Sequence, residues 1–130
     1  MSKICSFEDL QVWQLSREFN KKIYQATGKT PWKADCRFVS QITAASGSIM
    51  DNIAEGFGRE GTKEYVNFLY IAKGSCEEVK SQLYRAYDVG YLSVEQFDVL
   101  FKDIRTISVM LHNFIKYLKE CEHKGVKYKE

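Results

Sequence analysis

The sequence predicts an all-α protein, an antiparallel up-down-up-down four-helix bundle, on three observations. Apolar residues recur at helical spacing in four long segments. Capping residues open these segments, and glycines close most of them. There is one proline in 130 residues, and no stretch alternates polar and apolar residues as a half-buried strand would. One hydrophobic core suits this length, so a single bundle over roughly 1–122 is expected, followed by a polar tail over roughly 123–130.

The first helix is read over roughly 7–27. Ser6 opens it, with Asp9 three residues on as in a capping box, and Gly28 is expected to stop it in a left-handed conformation. Val12, Ser16, Phe19, Ile23 and Ala26 form its core stripe. The second helix is read over roughly 32–57, beginning at Thr30-Pro31 or a turn later at Asp35 and ending in Gly56, Gly58 and Gly61. Phe38, Ile42, Ala45, Ile49 and Ile53 are its apolar stripe, and the run from Ala44 to Ser48 has so little bulk that a neighbouring helix can approach closely.

The third helix, roughly 62–89, carries Tyr65, Phe68, Leu69, Ala72, Cys76, Val79, Leu83 and Ala86 on one face and meets Gly90. The fourth, roughly 94–121, opens with the capping box Ser93-Val94-Glu95-Gln96 and buries Phe97, Leu100, Ile104, Ile107, Leu111, Phe114 and Leu118. Short connections force neighbouring helices to run antiparallel.

Charge and chemistry exclude several function classes. With 19 basic and 17 acidic residues the net charge is only +2, so composition alone does not announce a nucleic-acid-binding protein. No stretch reaches the roughly 18 apolar residues of a transmembrane helix, and the N-terminus has no apolar signal core, which predicts a cytoplasmic protein with no membrane partner. Cys5, Cys36, Cys76 and Cys121 form no CxxC pair and read as free thiols. A dinuclear metal centre in a bundle needs a Glu-x-x-His on each of two helices, and Glu120 with His123 is the one such pair. The glycines of Gly56 to Gly61 lack the lysine and hydroxyl of a phosphate loop. No metal, cofactor or enzymatic activity is therefore expected.

Two surplus features lie outside the core pattern. Ser48, Asn52 and Glu55 share one face of the second helix, and Ser75 and Glu78 share one face of the third, so antiparallel packing could join them in a polar cluster. Such a cluster either fixes helix register or forms a small recognition site. Leu10, Trp13 and Tyr24 lie roughly 100° to 160° from the first core stripe, and Tyr70, Tyr84 and Tyr87 alternate with Lys73 and Lys80. Rings left wet on a bundle read as scattered surface residues, as a self-association face, or as a platform for nucleic-acid bases.

One string of residues is more specific than amphipathic periodicity. Phe7-x-x-Leu10-x-Val12-Trp13, then Tyr24, Thr27, Pro31 and Gln41, then Ser48-Ile49-x-x-Asn52-Ile53-Ala54-Glu55-Gly56-Phe57-Gly58-Arg59, then Phe68-Leu69-Tyr70-Ile71-Ala72-x-Gly74-Ser75-x-x-Glu78 resembles the family of proteins encoded in 23S rRNA intervening sequences. That family is similar to the accessory variability determinant of diversity-generating retroelements. The resemblance implies a left-handed bundle that assembles as a homopentamer, with RNA or DNA and a nucleic-acid-processing protein as further partners. It predicts a non-enzymatic homo-oligomeric scaffold that engages RNA or an RNA-protein complex through Lys21, Lys22, Arg59, Lys63, Lys73 and Lys80. Leu10, Trp13, Tyr24, Tyr70 and Tyr84 are the expected contacts between subunits. The chain departs from the family pattern after Gln41, where Ile42 is followed by Thr43 and Ala44 in place of an arginine pair, removing two charges suited to phosphate. The alternative function is a protein-protein interaction adaptor with no nucleic-acid binding.

Overall fold

In the computed structural model, which describes residues 3–124, a short 3-10 turn at Phe7–Asp9 precedes helix α1, Gln11–Thr27. A second 3-10 turn at Trp32–Ala34 precedes α2, Cys36–Gly58, followed by α3, Thr62–Asp88, and α4, Val94–His123. Each helix packs against two neighbours, α1 on α2 and α4, and α3 on α2 and α4, which closes the four-helix bundle. Cross-helix bonds join three of these faces: Ser46 faces Asn20, Ser48 faces Ser75, and Asp103 faces Lys22.

The first helix divides where the sequence predicted continuity. The Asp9 carboxylate accepts the backbone N–H groups of Cys5 at 2.9 Å and Ser6 at 3.1 Å, closing a local turn. Leu10 is then extended, with φ −77° and ψ 122°, and α1 starts one residue later. This break turns Leu10 into the core, where it is 5% exposed. It therefore leaves the predicted outer stripe. Gly28 ends α1 in the right-handed region, φ −78°, whereas the left-handed stop occurs at Gly90, φ 84°.

Between α1 and α2 the aromatic pin is Trp32, which periodicity alone did not place in the core. It is fully buried, lies stacked against Tyr91 with 5.6 Å between centroids, and touches Phe38 at 5.3 Å. Asp35 holds two elements together. Its carboxylate accepts the Phe38 N–H at 3.3 Å, capping α2, and the Tyr91 hydroxyl at 2.8 Å, fixing the α3–α4 connection. The second bond, made to an anion, raises the Tyr91 hydroxyl pKa above its ordinary value. The Ser93–Gln96 capping box then opens α4 as predicted.

The core is built from the predicted stripes: Phe19 and Ile23, Ile42, Ile49 and Ile53, Leu69, Val79 and Leu83, and Ile104, Ile107, Leu111 and Leu118 are all buried. Each such side chain contributes about 1.5–3 kcal/mol on leaving water. Phe68, Phe97 and Phe114 are only half-buried, because they sit at the edges of their stripes. At the far end α4 continues to His123, the first residue of the predicted tail; residues 125–130 of that tail lie outside the described residues.

Helices α2 and α3 approach closely at Gly56. A Cβ added at Gly56 would lie 2.8 Å from Phe68 Cβ and 3.2 Å from the Tyr65 carbonyl, both parts of the packed helix. Gly47, in the same helix, has nothing within 4 Å of such a Cβ. Gly56→Ala should therefore cost about 1–3 kcal/mol, whereas Gly47→Ala should gain up to about 1 kcal/mol of helix propensity. Thermal melts of the two variants should move in opposite directions; equal shifts would refute the close approach.

Candidate functional site

The predicted polar cluster forms in part. The Ser75 hydroxyl donates to Ser48 Oγ at 3.0 Å across the α2–α3 interface, and the Asn52 amide donates to Ser48 Oγ at 2.9 Å and to the Ser48 carbonyl at 2.8 Å. Ser75 is buried, and Ser48 and Asn52 are half-buried. Glu55 and Glu78 do not join them. Glu55 instead pairs with Arg59 one turn along its own helix at 2.8 Å, and Glu78 accepts from Gln82 at 3.3 Å. Both carboxylates lie on the exposed side of their helices, because leaving water unpaired would cost more than any contact with the serines could return.

The predicted aromatic contacts separate into different environments. Leu10 is core, and Trp13 is half-buried, packed edge-on against Phe7 with centroids 5.0 Å apart. Tyr24 stands 58% exposed on α1. Tyr84, 52% exposed, heads a cluster on the outer seam between α3 and α4: it contacts Phe97 at 5.1 Å and Phe101 at 5.2 Å, and Tyr87 contacts Phe97 at 5.5 Å. Arg105 lies 5.1 Å from the Phe101 ring.

The predicted basic residues do not form one surface. Lys21 pairs with Glu18, Lys22 with Asp103 at 2.6 Å, Arg59 with Glu55, and Lys80 with Glu77 at 2.8 Å. The Lys80 hydrogen bond holds the Glu77 carboxyl below its ordinary pKa, assisted by the Ser108 hydroxyl. Lys63 is exposed in the first turn of α3.

Lys73 lines a groove of about 530 Å³ between α3 and the C-terminal half of α4, while Arg59 lines a separate depression with Asp51 and Glu55. Tyr70 comes from α3, while His112, Ile115, Lys116, Lys119, Glu120 and His123 come from α4, with Lys124 at its end. From the sequence, Glu120 and His123 stand out only as metal ligands and Lys116 and Lys119 do not stand out, although His112, Lys116, Lys119 and His123 recur at i, i+4, i+7 and i+11 and so form one helix stripe. On α3 the matching stripe is Tyr70, Lys73, Glu77, Lys80, Tyr84 and Tyr87, spaced alternately by three and four. The α3–α4 seam thus has a basic end and an aromatic end. Tyr70 and Tyr84 lie roughly 20 Å apart at the helical rise.

Among the described residues no three of His, Cys, Asp and Glu gather as metal ligands, and no helix is long and apolar enough to cross a membrane. Fold and surface together define a small helical-bundle protein with a lysine-rich groove and an exposed cluster of rings on one seam. The chain belongs to the 23S rRNA-intervening sequence protein family, whose model matches residues 8–113. In fold it is similar to a protein of unknown function from the S23 ribosomal protein family of Bacteroides thetaiotaomicron, with a TM-score of 0.76 and 24% identity over 81% of this chain and 95% of that one. No curated protein matches it.

Two outcomes follow from these contacts. Asn52→Leu removes both bonds to Ser48 and should lower stability by about 1 kcal/mol, a few degrees in the melt; an unchanged melt with lost partner binding would make the cluster a recognition site. Burial pushes the Cys76 thiol pKa up to about 12, so it stays protonated and unreactive at neutral pH, whereas Cys5 and Cys36 are exposed. A thiol-reagent titration of native protein should therefore leave Cys76 unmodified until denaturant is added; its rapid labelling would show that the core opens.

Proposed function

We propose that the protein is a non-enzymatic, cytoplasmic scaffold that assembles with itself and engages RNA or an RNA-protein complex. The observation that carries this reading is the α3–α4 seam, where exposed rings and lysines run in line beside a core that is already closed. Large rings at a protein surface favour association, and lysines beside an open ring suit a nucleic-acid strand. The family's name points to an rRNA context, and the resemblance to pentameric proteins suggests a ring of five.

Self-association is assigned to the cluster of Tyr84, Tyr87, Phe97 and Phe101. These rings already pack on one another at 5.1–5.5 Å, so a second subunit would cover a preformed apolar surface at little cost in side-chain entropy. Tyr24 is a further exposed ring, on α1. Trp13 contributes less than its size suggests, because Phe7 already covers one side of it.

Light scattering should report several times the 15.1 kDa chain mass, and Tyr84→Glu should reduce it by placing a charge in an apolar contact. Wild-type protein that stays monomeric at high micromolar concentration would overturn the assembly. Binding to structured RNA should weaken steeply as salt rises; salt-independent binding to protein alone would favour the adaptor function instead.

A further inference from the structure

Four of the 19 basic residues of this protein are held in ion pairs along or between helices. Lys21, Lys22, Arg59 and Lys80 each hold a carboxylate within 3.2 Å. The groove at the basic end of the seam is different: Lys73, Lys116, Lys119 and Lys124 face a lone carboxylate, Glu120, among its lining residues. Its floor is apolar, formed by the buried Ile115. Tyr70 forms one wall and is 47% exposed.

The position of Lys119 is informative. Its ammonium donates to the Tyr70 hydroxyl at 3.3 Å and lies 5.8 Å from the ring centroid. Together the two distances put the charge beyond the hydroxyl and not against the ring face, and Tyr70 as a whole is partly exposed to solvent. A planar group can therefore lie on Tyr70 while an anion joined to it meets Lys119. With about 530 Å³ of space, the groove falls within the usual range of roughly 300–1,000 Å³ for small-ligand sites, enough for one nucleotide unit. An acidic peptide would satisfy the lysines but leave the ring unused.

We propose that this groove binds single-stranded RNA, with a base stacked on Tyr70 and the adjoining phosphates held by Lys73, Lys116 and Lys119. The site rests on the RNA-binding reading above and specifies where the strand lies. Stacking on an aromatic ring is tolerant of base identity, and phosphate contacts carry no sequence information, so recognition here is of strand form and not of sequence.

The test is fluorescence anisotropy of a labelled single-stranded RNA dodecamer over a series of KCl concentrations, with helicity of every variant checked by circular dichroism. Lys116→Glu with Lys119→Glu should weaken binding at least about tenfold and make the salt slope shallower by about 1.4, the share of two phosphate contacts on a single strand. Lys116→Gln with Lys119→Gln, which avoids repulsion, should give an intermediate loss. Tyr70→Ala should weaken binding about tenfold with the slope unchanged, since stacking releases no counterions. A charge-matched pair at the opposite end of the bundle, Lys29→Glu with Lys33→Glu, should do far less. Wild-type binding that the groove variants leave intact, or that the Lys29 and Lys33 pair weakens equally, overturns the groove and spares the RNA reading. Absence of wild-type binding overturns both. Displacement of the RNA by polyglutamate at equal charge concentration overturns the site as one for RNA and makes it one for acidic chains.

Discussion

The close approach of α2 to α3 is the constraint on which the rest of this bundle depends. Gly56 sits so near Phe68 and Tyr65 that a methyl group has no room, and a helical turn or two away Ser48 and Ser75 meet through their hydroxyls. Small side chains bring the helix axes together, and hydrogen bonds between hydroxyls work only at that short range. A slip of one residue would rotate Ser48 and Asn52 away from Ser75 and drive Gly56 off its partner. Register is thereby set by shape and by polar satisfaction at once, a stricter condition than apolar burial alone imposes.

Fixing α3 against α2 also decides what α3 offers to α4. Once Leu69, Ala72, Cys76 and Val79 are buried, the flank carrying Tyr70, Lys73, Glu77, Lys80, Tyr84 and Tyr87 lies along the seam with α4. From α4 come Phe97 and Phe101 at one end and Lys116 and Lys119 at the other. The middle is a polar saddle, in which Glu77 accepts from both Lys80 and Ser108. That saddle neutralises its own charge and divides the seam into an apolar surface and a basic groove. Two kinds of contact can thus share one face without competing for the same residues.

Charge distribution explains why overall composition is a poor guide here. A net charge of +2 on 130 residues suggests an unremarkable surface, and four ion pairs neutralise part of it locally. Exposed pairs of this kind contribute only about 0–1 kcal/mol each to stability. What sets the lysines of the groove apart is their gathering, four of them around the single carboxylate of Glu120.

Sequence by itself determined the four helices, their antiparallel order and nearly all of the core, because a 3.6-residue apolar period leaves few choices for what is buried. The capping boxes at Ser6 and Ser93 were legible because they are local, satisfied within a turn, and Asp35 was one of the two starts read for α2. Tertiary structure decided whatever depended on two segments meeting. It turned Leu10 inward through a one-residue break, buried Trp32 under Tyr91, and left Glu55 and Glu78 outside the serine cluster. It also brought Tyr70 and Lys73 opposite a stripe of α4 about forty residues or more away in the chain. Periodicity reports which face of a helix is apolar, but a groove is made by two faces, and only packing determines which two.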